Sequence, residues 1–238
     1  MQTKQLGATD IKIPEIGFGT WRYSGGFEPI RRACDLGAVF IDTAEMYGTE
    51  EVVGEAICGI RQKVFLATKA LPRNFRRKDL HRAADNSLKR LGTDRIDLYQ
   101  LHWPNTIVPI KETMGAMEEL VDAGEVRFIG VSNFTLPELR QAIRCLSRYR
   151  IASNQVHFSL VERTSESGLL KFCQKKQITV IAYSPLKGVV QGLDGDSRSV
   201  LEDVAGKNSK TPAQVALNWC VCKDTVVTNP KTDNKKTG

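Results

Sequence analysis

No apolar run in this 238-residue chain approaches the roughly 20 residues needed to cross a bilayer, so a membrane partner is not expected. The opening Met1-Gln2-Thr3-Lys4-Gln5 does not have the charged-then-apolar order of a secretory leader. The six cysteines have no paired metal spacing, and Cys220-Val221-Cys222 is too tight for a zinc knuckle. No metal site is expected; the thiols read as free, mostly on helices and buried, which suits a reducing cytoplasm. No linker interrupts the chain, so one domain is expected over residues 1–238. Aromatic and basic residues do not interleave as they do in single-strand binders, which argues against nucleic acid. A net charge of +7 with a pI near 9.1 therefore points to a phosphorylated small molecule instead. No G-x-G-x-x-G follows the first strand, because Gly17-Phe18-Gly19 has no third glycine.

What the chain does contain is an alternation. Residues 4–13 predict a hairpin turning at Gly7-Ala8-Thr9-Asp10. Strands are then predicted at Ile16–Trp21, Ala38–Ile41, Val64–Lys69 and Asp97–Pro104, followed by Arg127–Val131, Ser153–His157, Thr179–Tyr183 and Thr225–Val227. Helical spacing fills the gaps: Val52, Val53, Ala56, Ile57 and Ile60 share one face, as do Leu80, Ala84, Leu88 and Leu91. Thr211-Pro212-Ala213-Gln214 is a capped helix start. Eight strands in strict alternation with helices predict a parallel sheet closed as a (β/α)8 barrel, in preference to an open doubly wound sheet. The Gly/Asp/Ser-rich stretch Gly188–Ser199 reads as a mobile flap.

Chemistry collects at the strand ends. Asp42 ends one strand, with Tyr47 on the following loop; Lys69 and His102 end the next two. In such barrels the carboxyl ends of the strands carry the active site. Singly, each residue has an ordinary alternative, a helix cap for Asp42 or a paired surface cation for Lys69. Together at one face they make a proton-delivery site. Tyrosine's free pKa of about 10 is high for an acid near neutrality. A buried ammonium from Lys69 is expected to lower it, with Asp42 keeping the lysine charged and placed.

At this point the chain resembles the aldo-keto reductase family from about residue 4 to residue 231. The motifs are Gly17-Phe18-Gly19-Thr20-Trp21, Asp42-Thr43-Ala44 with Tyr47-Gly48, Thr68-Lys69 and Leu101-His102-Trp103-Pro104. Three more follow: Gly130-Val131-Ser132-Asn133-Phe134, Asn154-Gln155-Val156 and Ala182-Tyr183-Ser184-Pro185-Leu186. The resemblance implies NADPH-dependent reduction of aldehydes and ketones, with NAD(H) as the second cofactor to test. Tyr47 would be the acid, Asp42 and Lys69 its tuners, and His102 the group that orients the carbonyl. Ser132, Asn133 and Gln155 would hold the nicotinamide carboxamide and Tyr183 would stack on its ring. Gly19, Thr20, Ser184 and Leu186 would lie along the cofactor, and Trp21 and Trp103 would wall the substrate.

The family pattern thins near the end. Pro230-Lys231-Thr232 keeps a phosphate-binding start, so Lys231 and Thr232 are expected at the cofactor's 2′-phosphate. The place of the usual arginine is Thr237, with Lys235 and Lys236 as substitute charges. The eighth outer helix is absent from the sequence. The resemblance then implies an exposed flank near Ile16–Gly19 and Val226, and a monomer or weak self-association through it. A short loop after His102 implies an open pocket and broad carbonyl acceptance. The other readings are a non-catalytic NADP-binding or redox-sensing protein on this scaffold, and a Schiff-base lysine. An adjacent acid disfavours the latter by keeping Lys69 protonated.

Overall fold

The computed structural model describes residues 1–189 and 192–232. Its first element is the expected hairpin, β1 (Thr3–Gln5) against β2 (Lys12–Pro14), antiparallel with Thr3 opposite Pro14. Eight parallel strands follow: β3 (Phe18–Gly19), β4 (Phe40–Asp42), β5 (Phe65–Ala70), β6 (Ile96–Leu101), β7 (Val126–Ser132), β8 (Ile151–His157), β9 (Thr179–Tyr183) and β10 (Val226–Thr228). Each pairs with its neighbours in chain order. The sheet closes where β10 meets the stretch before β3. Gly17 N–H donates to Thr228 O at 2.7 Å, Thr228 N–H to Glu15 O at 2.9 Å, and Gly19 N–H to Pro230 O at 2.9 Å. The result is a (β/α)8 barrel with an N-terminal hairpin.

Alternation along each strand sorts the barrel into layers, because successive side chains point to opposite faces. Phe40, Phe65, Ala67, Leu98, Ala152, Ile181 and Val227 fill the interior and are plugged below by Leu6 and Ile13 of the hairpin. Ile41, Leu66, Tyr99, Ile129 and Val180 belong to the other cluster, with helix residues such as Ala56, Leu80, Met114, Leu139 and Cys173. On four of the strands the inward face carries a polar side chain two residues beyond an interior apolar one. Phe40 is followed by Asp42, Ala67 by Lys69, Leu98 by Gln100 and Val227 by Asn229. The apolar floor therefore sets the register of the polar layer above it.

The helices outside are α1 (Glu28–Asp35), α2 (Glu50–Ile57), α3 (Arg77–Leu91), α4 (Ile110–Asp122), α5 (Leu136–Cys145), α6 (Lys171–Lys176), α7 (Gly195–Lys207) and α8 (Pro212–Val221). Thr135 with Glu138, and Thr211 with Gln214, form capping boxes at α5 and α8. No described residue forms a helix after β10, and no helix among the described residues is long and apolar enough to cross a membrane.

Three expectations need correction. The stretch read as a flap is half helix: Asp194 accepts Ser197 N–H at 2.8 Å, and α7 starts at Gly195. Only Leu201 and Ala205 of that helix are buried, an apolar face too thin to show a helical period. The flank near β3 and β10 is not uncovered. Phe18 is 3 % exposed and lies edge-on to Tyr23 at 5.5 Å, while Val226 is 0 % exposed beneath α8. Self-association through an open strip there is therefore not supported. The cysteines are all free, but only Cys34, Cys173 and Cys220 are buried, whereas Cys58 and Cys222 are exposed at helix ends.

One lysine clamps the hairpin to the far end of the chain. Lys4 Nζ donates to Val221 O at the C-terminus of α8, to Lys223 O at 2.8 Å in the turn that follows and to Val226 O at 2.9 Å at the start of β10. Burial lowers its pKa, opposed by Glu15 and Asp224. Lys4→Met keeps the stem but leaves those carbonyls without their donor. We expect a loss of roughly 1.5 to 3 kcal/mol in urea unfolding, the usual range for charge-assisted hydrogen bonds. An unchanged midpoint would show that water replaces the ammonium at no cost.

Candidate active site

The polar layer converges on the carboxylate of Asp42, which is 2 % exposed. Its Oδ2 accepts Lys69 Nζ at 2.6 Å and Asn229 Nδ2 at 2.9 Å. Its Oδ1 accepts Gln155 Nε2 at 2.9 Å and Gln100 Nε2 at 3.1 Å. Four donors from β5, β6, β8 and the end of β10 thus meet on one acid. Gly130 makes room for this: a Cβ there would stand 2.8 Å from Gln100 Cγ and 2.8 Å from Ser153 Oγ.

Lys69 is wholly buried and spends its other contacts on Thr43 O at 2.8 Å and on Tyr47, whose ring centroid lies 4.9 Å from Nζ. Burial alone would lower its pKa, but Asp42 and Tyr47 outweigh this and the net shift is upward. Lys69 is therefore charged throughout the neutral range. Tyr47 sits on a single 3-10 turn, Glu45–Tyr47, that follows β4. Glu45 anchors the turn by accepting Leu71 N–H and Asn74 Nδ2, the latter at 2.9 Å.

The phenol corrects the sequence reading. Burial holds Tyr47 above its ordinary value; Lys69 pulls it down without overcoming that burial, and Asp42 pushes it up. The cation's field at the phenol is partly cancelled by its own partner, so desolvation of the phenolate wins.

His102 follows β6 and faces Tyr47, with Nε2 3.4 Å from the phenol oxygen. Burial first, then the Lys69 charge, pull its pKa down to about 3. The imidazole is neutral at working pH. Its buried Nδ1 has no partner among the described residues, so the tautomer with the proton on Nε2 is the one that places its donor toward the pocket. A folding consequence follows. Unfolded His102 takes up a proton near pH 6.5 and the folded form does not until about 3, so stability falls as pH drops between those values. This single group contributes a slope of about 1.4 kcal/mol per pH unit. Compared with wild type, His102→Gln should show a shallower loss of stability from pH 6.5 downward; parallel curves in urea titrations would refute it.

Asn133 has a left-handed backbone, φ 61°, which turns its amide back across the strand ends. Its Nδ2 donates to His102 O at 3.0 Å and Ser132 Oγ at 3.2 Å, and its Oδ1 accepts Tyr183 OH at 3.0 Å. Ser132 Oγ donates to Gln155 O at 3.0 Å. Tyr183 stacks on His157 at 5.4 Å and 10°. Trp21 lies 5.0 Å from the Tyr47 ring and Trp103 stacks on His102 at 3.8 Å, so the two indoles bracket the acid and the imidazole.

Asp42, Tyr47, His102, Ser132, Asn133, Gln155, Tyr183 and the two indoles line one cavity of about 650 Å³, together with Gly19, Thr20, Ser184, Leu186, Lys187 and Lys231, while Lys69 lies buried behind it. Thr20 is 0 % exposed and its hydroxyl is occupied by Asp42 O and Thr49, so it supports the floor from beneath. Lys231 Nζ donates to Arg22 O at 2.9 Å across the mouth. Thr232 does not line the cavity. The substitute charges Lys235 and Lys236, and Thr237, lie outside the described residues. Reasoning from the sequence passed over Gln100, Asn229 and Glu45. No group of residues fit for a metal occurs among the described ones.

Residues 15–232 match the model of the Aldo/keto reductase family. The chain belongs to the aldo/keto reductase family. It is 37 % identical to methylglyoxal reductase YeaE of Escherichia coli, over 97 % of this chain and 85 % of that protein. Among solved structures, the thermostable aldo-keto reductase Tm1743 in complex with epalrestat superposes with a TM-score of 0.93 at 40 % identity, covering 100 % of this chain and 91 % of that one. An aldo-keto reductase from Klebsiella pneumoniae in complex with NADPH gives 0.92 at 36 % identity, covering 100 % and 87 %. Asp42, Tyr47, Lys69 and His102 thus meet at the carboxyl end of an aldo/keto reductase barrel.

Proposed function

We propose that this chain reduces aldehydes and ketones to alcohols with NADPH, using Tyr47 as the proton donor. The observation that carries the reading is Tyr47, in one cavity with His102 and with its hydroxyl 3.4 Å from Nε2, its ring 4.9 Å from the buried Lys69 ammonium, over a carboxylate fixed by four donors. The cavity fits the cofactor. Its wall offers hydroxyl and amide groups at Ser132, Asn133 and Gln155 for a carboxamide, with Gln155 Nε2 already given to Asp42 and its Oε1 left to accept. The Tyr183 ring, fixed by His157 and Asn133, is a platform for a flat heterocycle. Lys187 and Lys231 on the rim suit phosphates.

Bound NADPH supplies the hydride. His102 donates from Nε2 to the carbonyl oxygen and holds it beside the Tyr47 hydroxyl. As negative charge develops on that oxygen, Tyr47 gives up its proton and the alcohol forms. Lys69 stabilises the phenolate left behind, and Asp42 keeps Lys69 charged in place. A phenol whose pKa is above its ordinary value in the free protein keeps its proton at neutral pH, which is the form that reduction needs. Trp21, 46 % exposed, leaves the substrate side open, in keeping with small, varied carbonyl compounds.

The test is the loss of NADPH absorbance with a reactive aldehyde, alongside NADPH binding by fluorescence quenching. Binding without turnover on any aldehyde or ketone would favour a cofactor-binding protein and overturn the reductase reading. Lys231→Ala weakening NADPH more than NADH would assign that lysine to the 2′-phosphate.

A further inference from the structure

We propose that Asn229, seconded by Gln100, is a positioning residue for proton transfer: its amide shares the Asp42 oxygen that Lys69 uses, and so leaves Lys69 free to act on Tyr47. The inference rests on the assignment of Tyr47 as the acid.

The geometry is specific. Asn229 stands one residue beyond β10, 6 % exposed, on the inward face set by Val227. Its backbone is pinned by its own N–H to Ala182 O at 3.4 Å and by the flanking Gly19-to-Pro230 bond. The side chain then reaches Asp42 Oδ2 at 2.9 Å, the same atom that accepts Lys69 at 2.6 Å. Gln100, 0 % exposed, does the same at Oδ1 from the other side of the barrel, 3.1 Å away. Both amides leave a buried Oδ1 or Oε1 with no partner among the described residues. A buried carbonyl without a donor is costly, so an amide that serves only to fill space would be replaced at a gain by an apolar residue of the same shape. Donation to Asp42 is what each amide has to offset that cost.

The electrostatic effect has a sign. Tyr47 faces Asp42 from β4, Lys69 from β5, His102 after β6 and Tyr183 from β9, with Arg22, Lys187 and Lys231 farther out on the rim. His102 is neutral, so the charges that compete at the phenol are Lys69, which favours the phenolate, and Asp42, which opposes it. N–H dipoles aimed at Asp42 spread its charge without adding any of their own. Removing them concentrates that charge between Lys69 and Tyr47. The phenol then holds its proton more tightly, making it a weaker acid in reduction and a scarcer base in alcohol oxidation.

The experiment titrates Tyr47 directly, by ζ-carbon NMR of tyrosine-labelled protein, with the Tyr47→Phe counterpart of each variant identifying the resonance. The variants are Asn229→Leu, which keeps the shape without the donor, Asn229→Asp, which replaces the donor by a like charge, and Gln100→Leu. We expect the Tyr47 midpoint to rise by about half a unit to one unit in Asn229→Leu, more in Asn229→Asp and less in Gln100→Leu. The pH limb of alcohol oxidation should move the same way, with kcat of reduction down about three- to tenfold and the KM for NADPH little changed. Unmoved midpoints in folded Asn229→Leu and Gln100→Leu would overturn the proposal, whatever happens to turnover. If Asn229→Leu fails to fold, Gln100→Leu decides alone. The NMR titration needs no catalysis, so a shifted midpoint in a protein without reductase activity would uphold the coupling and reject the reductase reading instead.

Discussion

Tyr47→Phe should bring carbonyl reduction close to the uncatalysed level while leaving NADPH binding near that of the wild type. The substitution removes one oxygen and nothing else from the packing. The ring still lies 5.0 Å from Trp21 and 5.4 Å from His102, and the turn that carries it is still anchored through Glu45. The groups proposed to hold the cofactor come from β7, β8 and β9, not from this turn. What is lost is the proton donor beside Nε2 of His102, and general acid catalysis is typically worth about 10²- to 10⁴-fold. Turnover and cofactor fluorescence should be measured on the same sample. Turnover near that of the wild type in Tyr47→Phe would end the assignment of Tyr47 as the acid.

Lys69→Met should cost both activity and stability. Among the described residues the ammonium is the only cation in contact with Tyr47, and without it none of them counters burial of the phenolate. A fall in turnover within that same range of about 10²- to 10⁴-fold is expected, and raising the pH should not restore it. High pH removes phenol protons and supplies none, so recovery at high pH would contradict the role given to Lys69. Stability should drop by about 3 to 5 kcal/mol, the usual cost of leaving one partner of a buried ion pair alone. The wild-type pair also has a definite pH signature. Because the folded pKa of Lys69 lies above its ordinary 10.5, its contribution is complete below that value and is lost as pH rises through the folded pKa. Lys69→Met should lack this alkaline loss. Asp42→Asn is expected to be milder in its effect on turnover, since it unpairs the lysine without removing it, although its amide nitrogen would face two of the four donors.

Much of this site was legible in the sequence, and the reason is periodicity. Strand ends in a barrel share one face, so Asp42, Lys69 and His102 could be grouped from their positions after apolar runs. Gln100 and Asn229 obey the same rule, standing two residues after Leu98 and Val227. They were passed over because an amide carries no signal of its own; only its partner gives it meaning, and Asp42 is 58 positions from one and 187 from the other. The direction of the Tyr47 shift was misread for a related reason. A charge can be counted along a chain, whereas desolvation depends on how much of the barrel closes around a group. The covered flank escaped notice because it was judged by a helix missing from the pattern, while Tyr23 on a short loop covers Phe18 instead. Helix α7 was hidden by its many exposed residues, among them Val200 at 65 %.

The seam between β3 and β10 has a consequence for how this protein comes off the ribosome. Every other pair of neighbouring barrel strands is close in sequence and can zip as soon as both have emerged. Ile16 and Gly17, by contrast, must wait for Thr228, some 210 residues later. Until then the barrel is an open sheet whose first strand presents unpaired N–H and C=O groups, an edge able to template contact with another chain. Slow closure of so long a loop prolongs that interval. The strand exposed meanwhile is two residues long, with Gly17 just before it and Gly19 as its second residue. So short an edge is a poor template, and it limits that hazard until the last strand arrives.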